Sequence, residues 1–437
     1  MKREDINAVL RLHSKERLTP TQGERDTVSA VYAGIQGVLG ASNTLQIGSY
    51  PRFTAITPLH DLDVLYVLGT ANASETHPAK LLQDVAARLR AGFKNPTNWT
   101  LKIAPQTHSI GILFLDGQDE VLSVDIVPAL VAGKNEFQQD TYLVPEIARR
   151  GHAARRVEYQ RLAKANQDVS WIRSDPRGYI EVAQRTNTQN RDFRKAVKLV
   201  KAWHYACKDA FDSPLKSFHI EQIITGYFQS GSPDIFDAVF QFFFDLPEFI
   251  RRPQIRDRAD AARFIDEYVG GIGLPEQRTV REARDGFLIG LENFEPSQKV
   301  GRLLAANLRE RKSASEAYLF DSGIKTLTEY PLSIVATVLE RKGGFREYIL
   351  DKLGVIAVDR KIQFRRANEV PVADLYKWKV KNDDASKQPR GEITDHQTLN
   401  DPESTAYNGA HYVECYAIGG RVCIGKARQD VKLRSDG

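Results

Sequence analysis

Gly48-Ser49-Tyr50-Pro51-Arg52-Phe53-Thr54, followed by Asp61-Leu62-Asp63, is the stretch from which the rest of this chain is best read. Thr44-Leu45-Gln46-Ile47 before it is a short β-prone run that ends in the Gly-Ser turn. Residues 61–68 (DLDVLYVL) are rich in β-branched and aromatic side chains and read as a buried strand. Side chains alternate across a strand, so Asp61 and Asp63 share one face while Leu62 points into the core. At strand rise the two carboxylates stand about 7 Å apart. At an effective dielectric of about 20 their repulsion costs about 2–3 kcal/mol. A divalent cation removes that cost, and an all-oxygen ligand set suits Mg²⁺. The turn adds backbone N–H groups, the Ser49 hydroxyl and the nearby Arg52, which together are equipment for holding phosphate oxygens.

A two-metal site needs a third carboxylate. Residues 121–128 (VLSVDIVP) form a strand-like run with one acid, Asp125, at its centre. They follow residues 108–115 (HSIGILFL) across Asp116-Gly117, a hairpin signal. The neighbouring strand would then set Asp125 beside Asp61 and Asp63. Acids at strand ends also cap turns, and Asp61 alone would be read that way. The ordered set of turn, paired acids and later acid favours a site.

That set, GS-x-x-R-x-T, D-L-D and D-I-V-P within residues 43–128, resembles the active site of polymerase-β superfamily nucleotidyltransferases. More narrowly it resembles the bacterial cGAS/DncV-like enzymes (CD-NTases, or SMODS domains). The resemblance implies an α+β fold: a polymerase-β-like core sheet with helices, and a helical half that closes a nucleotide cleft. It implies that Asp61, Asp63 and Asp125 hold two Mg²⁺ ions, with Mn²⁺ as a substitute, and that Gly48, Ser49 and Arg52 meet the nucleotide. Lys201-Ala202-Trp203 followed by Ser217-Phe218-His219-Ile220-Glu221 resembles the family's nucleotide-binding pair. By that likeness Lys201 and Ser217 contact phosphates and Phe218 stacks on a base. Ser217 at a helix N-terminus also has dipole support for an anion.

The 437 residues leave room for two or three domains, and 42% hydrophobic with 27% charged residues is ordinary globular composition. No apolar run approaches the length of a membrane-spanning helix, so no membrane partner is expected. The N-terminus (MKREDINAVLRLHSKERL) is charged and helical in pattern, unlike a secretory signal. Cys207, Cys415 and Cys423 lack metal-ligand spacing, which argues against a disulfide framework or zinc site and fits a cytoplasmic protein. A net charge of +5 permits nucleotides or nucleic acid as partners without requiring either.

Residues 1–18 read as an amphipathic helix. Thr19-Pro20-Thr21-Gln22 reads as a capping box opening a second helix to about residue 40, with Val28, Val31, Ile35 and Val38 on its apolar face. A helix over 77–93 and a strand over 99–104 follow. Residues 134–176 read as polar and irregular. Their basic cluster at 149–156 is either a solvated face or a surface for phosphates. A long helix over 190–210 carries Phe193, Val197, Val200, Trp203 and Cys207 on one stripe, beside a basic stripe of Arg194, Lys198 and Lys201. Residues 235–250 are apolar all round and predict a core helix. Further helices are expected over 257–268 and 296–311. The glycines at 270–273 are not followed by Gly-Lys-Ser/Thr, so no P-loop is read there.

From residue 331 the chain turns strand-like, and alternation in YKWKVKN and HYVECYAI suggests a β-sandwich. Residues 318–437 resemble the AGS-C sensor domain through Trp378-Lys379-Val380-Lys381-Asn382, Arg390-Gly391-Glu392-Ile393 and residues 403–416 (ESTAYNGAHYVECY). Trp378, Arg390, Glu392, His411 and Glu414 then line a ligand pocket or form a buried polar network. The expected division is 1–186 for the catalytic core, 187–311 for the helical half and 318–437 for the sensor. The resemblance implies synthesis of a cyclic or linear oligonucleotide messenger from NTPs in CBASS-type antiphage defence. A separately encoded effector, and regulatory or conjugating proteins acting at Gly437, would be its partners. Template-independent modification of RNA or protein, or nucleotide sensing without catalysis, are the alternatives.

Overall fold

The computed structural model describes residues 2–69, 76–106, 108–147, 169–339, 348–349, 354–395 and 402–434. The basic cluster at 149–156 and Gly437 lie outside the described residues. The chain is α+β and divides into two compact units: Val9–Gln277, and Met1–Ala8 together with Arg278–Gly437.

After α1 (Lys2–Arg17), α2 (Gln22–Leu39) starts from Thr21. The Thr21 hydroxyl accepts from the Glu24 N–H, and the Glu24 carboxylate accepts from the Thr21 N–H. The cap therefore sits two residues beyond the Thr19 position expected from sequence. Glu24 decides this, because it also takes the Leu59 N–H and the Thr57 hydroxyl and so ties the helix to the loop before the next strand. Val28, Val31 and Ile35 of α2 pack with Leu82, Val85 and Leu89 of α3 (Pro78–Gly92).

These two helices cover one face of a sheet. β1 (Thr44–Ile47), β2 (Asp61–Val67), β3 (Thr100–Pro105), β4 (Ile110–Asp116) and β5 (Asp119–Lys134) lie in the order β1-β2-β5-β4-β3. Leu62, Val64, Ile112, Phe114, Val124 and Ile126 face the helices in one core. Full burial of each such side chain is worth about 1.5–3 kcal/mol. Residues 134–176, expected to be irregular, instead supply β6 (Asp140–Ile147), which pairs with β5, and β7 (Val169–Ser174), which pairs with β6. Tyr142 and Val144 of β6 bury against Leu65 and Ala129, a second small core built on long-range contacts.

The helices α4 (Pro176–Gln189), α5 (Phe193–Phe211), α6 (Ser217–Ser230) and α7 (Ile235–Phe249) complete the first unit, with Trp203 of α5 edge-on to Phe243 of α7 at 4.7 Å. The helix expected over 257–268 is absent. Asp266 instead takes the backbone N–H groups of Gln254 and Ile255, and Arg256 bridges to Phe264, so the segment folds back on itself. Helix forms one step later as α8 (Leu274–Glu292), burying Val280, Ala283, Phe287, Leu288 and Leu291. The helix expected over 296–311 shrinks to the single turn Val300–Leu303, while Arg311 pairs with Asp285 and Asp321.

In the second unit, strands Ile334–Leu339 and Lys361–Arg366 pack through Ala336, Val338, Ile362 and Phe364 against a larger sheet. The centre of that sheet is β8 (Leu375–Lys381), β9 (Gly409–Gly419) and β10 (Val422–Arg434), which present Trp378, Val413, Cys415 and Val431. The start of the chain joins this unit. The Lys2 N–H donates to Glu329 at 2.9 Å, and the Lys2 ammonium donates to Glu295 at 2.7 Å and Thr328 at 2.8 Å. Among the described residues no helix is long and apolar enough to cross a membrane.

Cys207, Cys415 and Cys423 are free and buried, and burial pushes each thiol up to about 12. A thiol such as this stays protonated at pH 8 and is a poor nucleophile. The native protein should leave all three untouched by a chromogenic disulfide reagent, and three equivalents should react after denaturation in urea. A rapid equivalent in native protein would contradict this packing.

Candidate active site

Strand register places the three aspartates. β1 runs antiparallel to β2 with Ile47 opposite Asp63. β2 runs parallel to β5 with Asp63 opposite Asp125 and Asp61 opposite Ser123. Because Leu62, Val64 and Val124 face the helices, Asp61, Asp63 and Asp125 share the other face. Gly48 has φ +74°, and a Cβ there would stand 1.8 Å from Asp63 Oδ2. Only glycine lets the turn close this tightly over the carboxylate.

Burial, reinforced by Asp125, pushes the Asp63 carboxyl up to about 7, with Arg52 opposing. Burial also raises Asp125, while His108 and Ser109 pull it back. Ser109 Oγ lies 3.3 Å from Asp125 Oδ1 and 3.0 Å from Gln106 Oε1. Gly111 faces Asp125 across β4 and β5, and a Cβ on it would meet Gln106 Nε2 at 2.2 Å. That missing side chain is the room through which Gln106 reaches Asp125. Asp61 is exposed. Among the described residues no three His, Cys, Asp or Glu side chains are already gathered as a metal cluster. The three acids are arrayed along one face as hard oxygen donors, with Asp61 raising the carboxyls of both Asp63 and Asp125, and that donor set fits divalent magnesium or manganese.

The cations behind the turn are differently placed from the sequence expectation. Glu221, with 0% exposure, accepts from Thr54 Oγ1 at 2.7 Å, from Lys201 Nζ at 2.9 Å and from Arg52 Nε. Lys201 is 2% exposed and also donates to the Thr54 carbonyl at 3.2 Å. Neither Arg52 nor Lys201 therefore presents its charge to the open face; both hold the turn to α6. Against the upward push of burial, Arg52 and Lys201 hold the Glu221 carboxyl at about 2. Ser217 opens α6 and hydrogen-bonds Tyr205, whose hydroxyl burial raises and Asp61 raises further. Phe218 is half-buried, edge-on to Tyr179 at 4.9 Å, with the Arg52 guanidinium 5.2 Å from its ring centre. Sequence reading assigned no role to Glu221, Tyr205, Gln106 or Ser109. Glu221 has one signal in the sequence, an acid four residues into the helix that Ser217 opens.

The five sensor candidates do not converge. Trp378 and His411 stand on the face of the larger sheet that holds the apolar core, and Glu414 stands on the opposite face. His411 Nε2 lies 2.8 Å from the Tyr407 carbonyl, and its Nδ1 accepts from the Asp383 N–H at 3.2 Å. Arg390 pairs with Glu403 at 2.7 Å and, more distantly, with Glu392 at 3.9 Å. Glu414 takes the Tyr416 hydroxyl at 2.6 Å and the Lys426 ammonium at 3.2 Å.

Residues 309–434 match the family model of the Adenylyl/Guanylyl and SMODS C-terminal sensor domain. The C-terminal region is of the AGS-C type. The AGS-C match begins nine residues before the expected boundary at 318. The sequence matches no curated protein. Among solved structures, CdnC of E. coli MS115-1, in a structure with ATP, is similar at 18% identity over 68% of this chain and 94% of that one, TM-score 0.48. The Bradyrhizobium diazoefficiens CD-NTase CdnG with GTP is similar at 11% identity over 68% and 97%, TM-score 0.45. Escherichia coli DncV in a 3′-deoxy GTP bound form is similar at 16% identity over 60% and 67%, TM-score 0.42.

Glu221 supplies a direct test of how the turn is held. Its folded pKa lies below the ordinary 4.5, so its contribution is complete above that value and is lost as pH falls toward 2. Glu221→Gln leaves two buried cations without their counter-charge, a loss of about 3–5 kcal/mol. Chemical denaturation at pH 7 should show that deficit, and the gap between wild type and variant should narrow as pH falls toward 3. Equal stability at pH 7 would mean the three donors are satisfied elsewhere.

Proposed function

We propose that the chain is a divalent-metal-dependent nucleotidyltransferase that joins nucleoside triphosphates into a cyclic or linear oligonucleotide messenger. The observation that carries this reading is the parallel register that sets Asp63 opposite Asp125, with Asp61 one pleat away and Gly48 closed over Asp63. Asp61, Asp63 and Asp125 would hold two Mg²⁺ ions. Bound there, the ions supply a lowered pKa for an attacking ribose hydroxyl and charge neutralisation for departing pyrophosphate.

The chain's own residues do the positioning. The backbone N–H groups at Gly48 and Ser49, with the Ser49 hydroxyl, offer a cradle for phosphate oxygens. Arg52 and Lys201, bonded to Glu221, fix that cradle against α6 and act here as positioning residues in place of direct phosphate ligands. Ser217 and Tyr205 border the acids from the helical side, and Phe218 offers a ring for a base. A messenger made this way would act on a separately encoded effector in the cytoplasm, and a CBASS-type defence role suits the AGS-C domain. Regulatory or conjugating proteins would be further partners.

Incubation with all four NTPs and Mg²⁺ or Mn²⁺, followed by mass spectrometry, should reveal pyrophosphate and a phosphodiester-linked product. Asp61→Ala with Asp63→Ala should abolish both while the protein stays folded. Removing the mutual repulsion should also raise the melting temperature of the metal-free protein. Wild-type turnover in the double variant would move the site elsewhere.

The elevated Asp63 carboxyl adds a pH dependence. Its folded pKa of about 7 means the metal-free protein holds a proton there below pH 7, and a cation must displace it. Calorimetric Mn²⁺ affinity should therefore fall by up to about tenfold per pH unit below pH 7 and level off above it. An affinity that is flat from pH 6 to 8 would exclude Asp63 as a ligand with this pKa.

A further inference from the structure

The face of the larger C-terminal sheet that turns away from the apolar core is not an ordinary solvated face. Cross-strand register builds it in rows. Lys379 of β8, Glu414 of β9 and Arg428 of β10 stand side by side, and Lys377, Tyr416 and Lys426 form the next row. Over these rows lies a cavity of about 520 Å³, closed in part by the C-terminal end of α8 and the segment around Arg309 and Tyr318. All of its lining belongs to the second unit. The size is that of a small-molecule site.

Its floor is buried and charged. Lys379 is 1% exposed, donates to the Ala317 carbonyl at 2.7 Å and lies 4.0 Å from the centre of the Tyr318 ring. Glu414 is satisfied by Tyr416 and Lys426. Glu292, the last residue of α8, is different: its Oε1 is sealed from solvent and has no hydrogen-bond partner. A buried carboxyl oxygen without a donor costs about 1–3 kcal/mol. Burial, opposed by Lys426 and reinforced by Glu414, pushes this carboxyl up to about 7. The rim carries two cations that reach water, Arg309 with a 38% exposed side chain and Arg428 with 49%. The Arg428 guanidinium carbon lies 3.8 Å from the centre of the Tyr412 ring, a cation–π contact at the rim.

We propose that this cavity binds a nucleoside phosphate, with Glu292 reading a donor on the base or ribose, the Arg428–Tyr412 pair stacking on the base, and Arg309 facing the phosphates. The chemistry comes from the lining. An unpartnered carboxyl demands N–H or O–H donors from the ligand. A guanidinium held against a ring accepts a further flat ring. A half-exposed arginine at the rim pairs with phosphate oxygens. Nucleoside phosphates combine all three features. The site uses Glu292, which lies ahead of the AGS-C match, and it takes only Glu414 from the sensor residues read from sequence. It is independent of the catalytic reading, because none of its residues falls in the first unit.

Photolabelling of the full chain with 8-azido-ATP and 8-azido-GTP, followed by peptide mapping, tests it. Label is expected within residues 412–428 or at Tyr318, and unlabelled ATP or GTP should compete it away. Glu292→Gln, which keeps volume, should weaken competition at least tenfold. Arg428→Gln, at a half-exposed position that will not disturb folding, should do the same. Label confined to residues 9–277, no label, or undiminished label in both variants would overturn the proposal. Label in residues 9–277 would speak to the catalytic unit alone, so the two readings fail separately.

Discussion

Between the turn at 48–54 and the helices α5 and α6 lies a carboxylate with no exposed surface, and the candidate site is arranged about it. Glu221 draws Arg52 and Thr54 from the turn and Lys201 from α5 onto one pair of oxygens. Taking an acid out of water costs several kcal/mol, which only a converging set of donors offsets. The result is a fixed distance between helices and turn, and Gly48 transmits it to Asp63 by lying against that carboxylate. Two cations against one acid also leave positive charge behind Asp63, and both cations oppose the rise in its pKa. Loosening Glu221 would therefore disturb the aspartates twice, by geometry and by field.

The strand logic of the site was open to inspection in the sequence. D-L-D in a β-branched run and a hairpin at Asp116-Gly117 both depend on local alternation and turn chemistry, and the register honours them. What could not be read was settled by long-range partners. Glu24 moves the helix cap by bonding Leu59, thirty-five residues away. Asp266 unmakes a helical pattern by capturing two backbone N–H groups twelve and eleven residues earlier. Tyr142 and Val144 become strand because Leu65 and Ala129 need a cover. Nothing in the sequence neighbourhood of Lys201 or Arg52 announces Glu221 as the group that bonds both.

The AGS-C domain shows the same division at the level of a sheet. Alternation in YKWKVKN was legible as strand, and Trp378 was its conspicuous residue. Trp378 went to the apolar core with Val413 and Cys415, so the side chains with open chemistry are those on the other parity: Lys379, Glu414, Tyr416 and Arg428. A one-residue change of register would exchange the two sets entirely. Sequence shows the alternation but not which parity faces the core, because that depends on Ala336, Val338 and Phe364 arriving from another sheet.

The bonds from Lys2 to Glu295, Thr328 and Glu329 bear on how the molecule is made. The second unit is discontinuous: the chain leaves it after Ala8 and returns at Arg278. During vectorial synthesis the first eight residues emerge long before their partners, and a separation of 327 residues must close before Lys2 can meet Glu329. The first unit has by then been translated whole. Assembly of the C-terminal unit is thus a late event that draws the beginning of the chain back to its end. Excising residues 318–437 as a fragment would leave behind both Lys2 and the helix that carries Glu292.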